Sequence, residues 1–310
     1  MQRILVVCNP RSSKYKNVRR EVLDVLMNPQ AVREKFGLSG VSIGRYEVAP
    51  TDVDDNAKQL SKLVRDGDLV LAVGGDATAV IGLNGVLLSE KDATLAALPY
   101  GNFNDLARTL KTVKLDDIFA GKTKKLYPLD ISVNEKHFRF ASCYTSIGMM
   151  AEAVEIFDNK KIRAKLRKGH RHSWRSYVQL AKWYFKNRHK KVFLPEFFLN
   201  GVPMKKKSDY FAVNGRSLAK VMKGKVKCFE PDVFLQMSGK LTSFWRLVGF
   251  MSKSILCHVP GEETIRESEL KFLSPASIEI QAEGEYKKFE QVKTVKIQKN
   301  KRFIKVITRN

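Results

Sequence analysis

The sequence predicts an α/β domain followed by a mainly antiparallel β domain, a sandwich. Three observations carry this. Over residues 1–125, apolar strand-like runs alternate with amphipathic stretches, the pattern of a parallel sheet with helices on both faces. From Leu129 onward short alternating strands dominate, with a hairpin signal at Asn134-Glu135-Lys136. The 310 residues also suffice for two hydrophobic cores, so the reading divides the chain into 1–125 and 126–310.

In order, Arg3 to Cys8 reads as a strand, and Asn9-Pro10-Arg11-Ser12-Ser13-Lys14 as a polar loop before a helical stretch ending near Met27. Val41 to Val48 alternates like a strand, and Thr51-Asp52 opens a helix through Val64. Leu69 to Val73 is a buried strand that runs into Gly74-Gly75-Asp76-Ala77-Thr78 and then an apolar helix, Ala79 to Leu88. Leu95 to Leu98 is another strand, ending in a Gly- and Asn-rich turn, Pro99 to Asp105, before a further helix. Sheets of this kind bind ligands at the carboxyl ends of their strands, which groups the Asn9, Thr51, Gly74 and Gly101 loops on one edge. Lys111 to Lys125 reads as a polar, basic connection.

In the second domain, strands are expected at Leu129 to Val133, His137 to Ser142, Val192 to Leu199, Tyr210 to Val213, Val226 to Phe229, Ser277 to Ala282, Thr294 to Gln298 and Arg302 to Ile307. Helical insertions are expected from Met150 to Phe157 and from Ser173 to Lys186, the latter with an aromatic face that reads as core or lid packing.

Composition narrows the function classes. The chain has 56 Lys and Arg against 32 Asp and Glu, net +24, which favours polyanionic partners. No nucleic-acid motif accompanies the charge, so nucleic acid is not the expected partner. Lys160 to Arg175 holds eight Lys or Arg among Ile162, Ala164, Leu166 and Trp174, and reads either as an anionic-membrane docking segment or as a solvated basic helix. No run approaches the ~18 apolar residues of a membrane span, and the N-terminus reads as a strand, so a cytoplasmic, peripherally membrane-associated protein is expected. The cysteines are widely spaced and read as free thiols.

The Gly74-Gly75-Asp76 stretch suits phosphate binding. Glycines let backbone N–H groups approach an anion, a helix start adds its positive dipole end, and an acid can hold Mg²⁺. The same residues also serve as an ordinary βα turn with a capping side chain.

Several separated motifs resemble, in order and spacing, those of the diacylglycerol kinase catalytic-domain family, in particular its bacterial lipid kinases. Asn9-Pro10-x-Ser12 resembles the first nucleotide loop. Gly74-Gly75-Asp76-Ala77-Thr78 resembles the Gly-Gly-Asp-Gly-Thr signature, and Pro99-x-Gly101-x-x-Asn104-Asp105-Leu106-Ala107-Arg108 the Pro-x-Gly-Thr-x-Asn-Asp-Phe-Ala-Arg signature. Leu129-Asp130, Ser146-Ile147-Gly148 and Glu283-Gly284-Glu285, the last in place of Asp-Gly-Glu, are further echoes. NAD kinase shares the Gly-Gly-Asp turn, but Asn104-Asp105 and Glu283-Gly284-Glu285 favour the lipid branch.

The resemblance implies a phosphofructokinase/NAD-kinase-like α/β domain and a β-sandwich, with ATP and lipid meeting in the cleft between them and the γ-phosphoryl passing to a hydroxyl of diacylglycerol or a related lipid. It implies that Asn9, Ser12, Ser13, Thr51, Gly74, Gly75, Asp76, Ala77, Thr78 and Asn102 line ATP, that Asp76 lies with Mg²⁺ and the phosphates, and that Glu285 is the general base. The residues alone also allow Asn104 and Asp105 to be helix N-cap and first-turn acid.

The sequence departs from the family at Ala77 for glycine, Val80-Ile81 for Asn-Glu, Asn102 for threonine and Phe103 for a small residue. Met237-Ser238-Gly239-Lys240-Leu241-Thr242 stands for Asp-Asp-Gly-x-Leu-Asp, which removes the carboxylates of a structural metal site found in some bacterial members. These departures carry the alternative, a catalytically degenerate member that binds nucleotide or anionic lipid without transfer. A homo-oligomer is left open.

Overall fold

The computed structural model describes residues 3–148, 151, 178, 182, 193–218, 222–224, 228–239, 244–259 and 263–309. The chain divides into two compact units. The first combines Met1–Pro128 with Cys228–Pro231 and Asn300–Asn310, and the second combines Leu129–Lys227 with Asp232–Lys299.

The first unit is built on a six-stranded sheet. Its strands are β1 (Arg3–Cys8), β2 (Ser42–Glu47), β3 (Leu69–Gly74), β4 (Thr94–Pro99), β5 (Lys122–Leu126) and β18 (Ile304–Thr308), in the order β2-β1-β3-β4-β18-β5. The first five positions of that order run parallel and β5 is antiparallel to β18. Parallel strands covered on both faces need apolar residues at every position, and all six residues of β3 are buried.

One face packs Ile4, Val6, Leu69, Leu71, Val73, Ala96 and Leu98 against Val18, Val22 and Leu26 of an irregular helical segment, in which α1 (Tyr15–Val18) passes through a π-helical turn, Arg19–Leu23, into α2 (Asp24–Leu26). On the same side lies α3 (Pro29–Phe36), started by Asn28, whose side chain accepts from the N–H groups of Gln30 and Ala31, and stopped by Gly37 in the left-handed region.

The other face receives α4 (Val53–Ser61) and α5 (Asp76–Ser89). α5 is buried all round from Thr78 to Leu87. Two glycines permit this: a Cβ on Gly82 would press on Ala72 and Leu95 of the sheet, and one on Gly85 on Leu60 of α4. The unit is completed by α6 (Asp105–Leu110) and α7 (Leu115–Phe119).

The second unit holds a ten-stranded antiparallel sheet. β6 (Leu129–Val133), β7 (Lys136–Ala141), β8 (Tyr144–Gly148), β11 (Asp209–Val213), β14 (Phe234–Gly239), β15 (Glu263–Ile265), β16 (Glu267–Ala282) and β17 (Glu285–Lys299) take the order β15-β14-β11-β8-β16-β17-β6-β7. β9 (Phe197–Leu199) joins β16, and β10 (Val202–Met204) joins β9.

The long β16/β17 hairpin organises this unit. Its register shifts between Lys271 and Ala276 and again before Ile278, so that one end pairs with β9 and β6 and the other with β8. Both ends contribute to one apolar core, Leu270, Ile131 and Val295 with Ile280, Ile147 and Tyr210, as in a sandwich. Hairpin turns at Asn134-Glu135, Asn200-Gly201 and Glu283-Gly284 each place two consecutive residues at positive φ, the type I′ geometry that matches strand twist. A small ribbon pairs β12 (Ser217–Leu218) with β13 (Met222–Lys223). A last helix, α8 (Phe244–Leu256 in chain order), follows β14 and stacks Phe250 on Phe211 with ring centroids 5.6 Å apart.

Three sequence expectations change. Ile304–Thr308, read as a strand of the second domain, inserts beside β4 in the first sheet. Alternation identifies a strand but not its partner. Lys111 to Lys125 is more than a connection, since α7 and β5 lie in it; the lysine-rich β5 is an edge strand, where charge discourages further pairing. Cys228 and Phe229 form a turn where a strand was expected, and residues 226–227 lie outside the described residues. The basic segment 160–175, the expected helix 150–157 except Ala151, and residues 240–242 also lie outside them. Within the expected helix 173–186, Val178 and Lys182 are described, and both are helical.

Candidate functional site

The parallel register fixes a common edge. Cys8 is level with Glu47 and Val73, and Gly74 is level with Pro99. The loops that follow these strands therefore share the carboxyl edge, and with them Asn9, Ser12, Ser13, Thr51, the Gly74 turn and Asn102.

Side chains tie the loops together. Asn9 closes its own turn, its Oδ1 accepting from the Arg11 N–H at 3.0 Å, and Arg11 donates to the Val48 carbonyl at 3.1 Å. Lys14 reaches across to the Gly101 carbonyl at 3.0 Å. Ser13 and Thr51 are exposed and Ser12 is half-buried.

The Thr51 loop is held from beneath by Asn56, which is fully buried in α4. Its Oδ1 accepts from the Ala49 N–H at 2.7 Å and the Tyr46 hydroxyl at 2.9 Å, and its Nδ2 donates to Thr51 Oγ1 at 3.0 Å. Sequence reasoning did not single out Asn56. An asparagine beside Ala57 and one turn before Leu60, on the apolar face of an amphipathic helix, is the signal that could have found it.

Gly75 and Gly101 are in backbone contact. A Cβ on Gly75 would lie 3.2 Å from Gly101 Cα, and one on Gly101 would overlap Gly75 and fall 2.8 Å from Asn104 Oδ1. Neither glycine has positive φ, so close approach and not backbone conformation dictates the residue type. Gly75 is also the N-cap of α5 and supplies no side-chain oxygen. The first-turn N–H groups of α5 are thus left without a side-chain cap. Ala77 lies inside this first turn, with helical φ, so its methyl carries no left-handed strain. Thr78 is buried against Gly74.

Asp76 caps another helix. Its Oδ2 accepts from the Asn104 N–H at 3.0 Å and its Oδ1 from the Asp105 N–H at 2.7 Å, at the N-terminus of α6. Asn104, the formal N-cap of α6, does not cap it. Its φ is 59°, and its side chain instead closes the turn, accepting from Gly101 N–H at 2.7 Å and donating to Gly101 carbonyl at 3.0 Å. Asp105 is buried in the first turn. Burial, reinforced by the Asp105 charge, pushes the Asp76 carboxyl up to about 7, against the opposing pull of its backbone N–H donors. Asn102 is exposed beside this network.

In the second unit, Glu283-Gly284 forms the β16/β17 turn and Glu285 is the first residue of β17, half-buried. Glu283 is only 2% exposed, and its Oε1 accepts from Ser142 Oγ at 2.6 Å and Cys143 N–H at 2.5 Å. Gln281 accepts from the Gly284 N–H at 2.8 Å and donates to Ser146 Oγ at 2.9 Å. Arg139, buried in β7, donates to the Glu285 carbonyl at 3.2 Å. Glu283 thus supports the turn from beneath. Gln281 and Arg139 went unnoticed, because strand alternation does not say which buried polar residues meet across a sheet.

Residues 3–126 match the family described as Diacylglycerol kinase catalytic domain. Over that stretch the chain is similar to the diacylglycerol kinase catalytic-domain family. The matched stretch contains β1 to β5 and every candidate loop residue considered above, and it ends before Glu285. A curated relative, the diacylglycerol kinase of Bacillus subtilis (strain 168), is 29% identical over 143 residues, 44% of this chain and 44% of that protein. The fold extends further than this sequence match. A crystal structure of a diacylglycerol kinase from Bacillus anthracis str. Sterne superposes over 99% of this chain and 96% of that one, with a TM-score of 0.69 at 18% identity. Two more structures from the same strain give TM-scores of 0.66 and 0.65. At that identity they establish the two-domain fold, and no residue's role.

Proposed function

We propose that this protein is an ATP- and Mg²⁺-dependent lipid kinase, which transfers the γ-phosphoryl group of ATP to a hydroxyl of diacylglycerol or a related lipid at an anionic membrane surface. The observation that carries the reading is the diacylglycerol kinase catalytic domain over residues 3–126, with its Gly-Gly-Asp turn at the carboxyl edge of the sheet.

The residues present fit the phosphates. The start of α5 has no side-chain cap, and the Gly75–Gly101 contact keeps side chains from covering it, so backbone N–H groups and the positive dipole end are available to an anion. Lys14 is bonded at the Gly101 turn and adds positive charge, while Asn9, Ser12, Ser13, Thr51 and Asn102 offer polar groups along the same edge.

Asp76 fits Mg²⁺ only in company. One carboxylate with two N–H donors already on it cannot satisfy an octahedral ion, so the remaining ligands would be phosphate oxygens and water. Bound there, Mg²⁺ would neutralise charge on the phosphates, and a cation beside Asp76 would draw its raised pKa down.

In this reading the acceptor hydroxyl oxygen attacks the γ-phosphorus, its proton passes to the Glu285 carboxylate, and the bond to the β,γ-bridging oxygen breaks with the electron pair leaving on ADP. Glu283 and Gln281 support the role of Glu285 by fixing the turn that carries it.

Labelled-ATP turnover against diacylglycerol, ceramide, sphingosine, phosphatidylglycerol and undecaprenol in mixed micelles tests the proposal. Mg²⁺-dependent labelling of one lipid is the expected result. Nucleotide binding without transfer to any of them would favour the degenerate reading, and no nucleotide binding by folded protein would remove the chain from the kinase class.

A further inference from the structure

Helix α8 lies outside the matched stretch and, among the described residues, carries the most exposed of the large apolar side chains. Trp245 is 77% exposed and Leu256 76%. They are eleven residues apart, three turns plus about 20°, so they stand on one stripe of the helix. Gly249 and Ser252 lie between them on that stripe, both exposed, and a Cβ at Gly249 would meet nothing within 4 Å. The opposite face is the anchored one, with Phe250 buried against Phe211 and Ser254 buried and donating to the Phe250 carbonyl.

Charge says what the outward face meets. From Val233 to Gly261 the sequence has no Asp or Glu, in a chain of net +24. Arg246 and Lys253 fall about 80–100° from the Trp245 stripe by helical geometry, at the level where headgroups would lie if the stripe entered the acyl boundary. Tryptophan is the side chain best suited to that boundary, with an apolar ring and a polar N–H. A helix–helix seam would need knobs along the stripe, and Gly249 and Ser252 supply none. A bilayer needs none.

We propose that α8 docks this protein on anionic bilayers, lying in the headgroup plane with Trp245 and Leu256 inserted and Arg246 and Lys253 paired with anionic lipid. The inference deepens the proposed action at a membrane and rests on it, but its test does not require turnover.

Sedimentation with phosphatidylglycerol/phosphatidylcholine vesicles is the first measurement. The combined variant Trp245→Ser, Leu256→Ser should bind at least about tenfold more weakly than the parent, and Arg246→Gln with Lys253→Gln about tenfold more weakly, because each cation near the surface contributes several-fold. Parent binding should fall with added salt and vanish on pure phosphatidylcholine. All four positions lie outside the machinery assigned above, so turnover of a short-chain, water-soluble diacylglycerol should be unchanged in both variants. A chain with Trp174→Phe and Trp183→Phe keeps Trp245 as its only indole, and brominated phosphatidylglycerol should quench it. Parental vesicle binding in both variants, no quenching of Trp245, equal binding to neutral vesicles, or concentration-dependent self-association abolished by Trp245→Ser would each overturn the proposal. Vesicle binding through α8 without turnover of the soluble substrate would sink the kinase reading and leave the docking surface standing.

Discussion

Gly74-Gly75-Asp76 and Glu283-Gly284-Glu285 are spelled with the same kinds of residue, and each closes a turn, yet their glycines answer different demands. Gly75 has φ −94° and lies so close to Gly101 that a Cβ on Gly101 would overlap it, so contact and not conformation selects glycine in this pair. Gly284 has φ 86° and open space around it, so conformation alone selects glycine there. The acids differ likewise. Asp76 caps a neighbouring helix from a partly buried position, whereas Glu283 is sealed under its own turn and Glu285 beside it is half-buried. A shared motif can thus rest on packing in one place and on dihedral geometry in another.

Substitutions separate the two demands. Gly101→Ala should cost about 3 kcal/mol, since its Cβ would meet backbone that cannot give way. Glu283→Ala should cost about 2–3 kcal/mol by stranding the buried Ser142 hydroxyl and Cys143 N–H. Gly284→Ala should cost only about 1 kcal/mol, the strain of a left-handed alanine. Urea unfolding of the three variants orders them; equal costs for Gly101→Ala and Gly284→Ala would erase the distinction between contact and conformation.

Ala77→Gly sharpens it from the other side. Because Ala77 is helical, glycine should destabilise the chain by about 0.5–1 kcal/mol instead of relieving strain. Thermal unfolding reads this, and a rise in Tm would show that the position wants a left-handed conformation after all.

A pH slope is expected as well. The Asp76 carboxyl is raised from 3.8 to about 7, so its ionised form is disfavoured in the folded chain. Below the unfolded value both states are protonated and nothing is lost. Between about pH 4 and 7 the unfolded chain ionises first and the stability contribution of this group falls, levelling off above 7. Asp76→Asn should flatten that part of the stability–pH curve, and an unchanged slope would mean that Asp76 is ionised in the fold.

The strands of the parallel sheet were legible because burial on both faces writes continuous apolar runs, and β1 lies where the sequence put it, at Arg3–Cys8. The motif order also located the loops of the candidate site. What was not legible is pairing between distant segments. Ile304–Thr308 looks like any alternating strand, and only tertiary contact places it beside β4. Asp76 capping α6 is of the same kind, a bond across 28 residues to a backbone N–H that no side-chain letter records. At Ala77, where the family has glycine, the helix has begun one residue earlier and settles the dihedral.

The most direct test compares Glu285→Gln with Asp76→Asn in steady-state phosphoryl transfer, with nucleotide affinity measured alongside. The account predicts that Glu285→Gln lowers kcat by about 10²- to 10⁴-fold with Mg²⁺-nucleotide affinity nearly unchanged, and that Asp76→Asn weakens that affinity as well. Lipid phosphorylation by Glu285→Gln at the parental rate would contradict it.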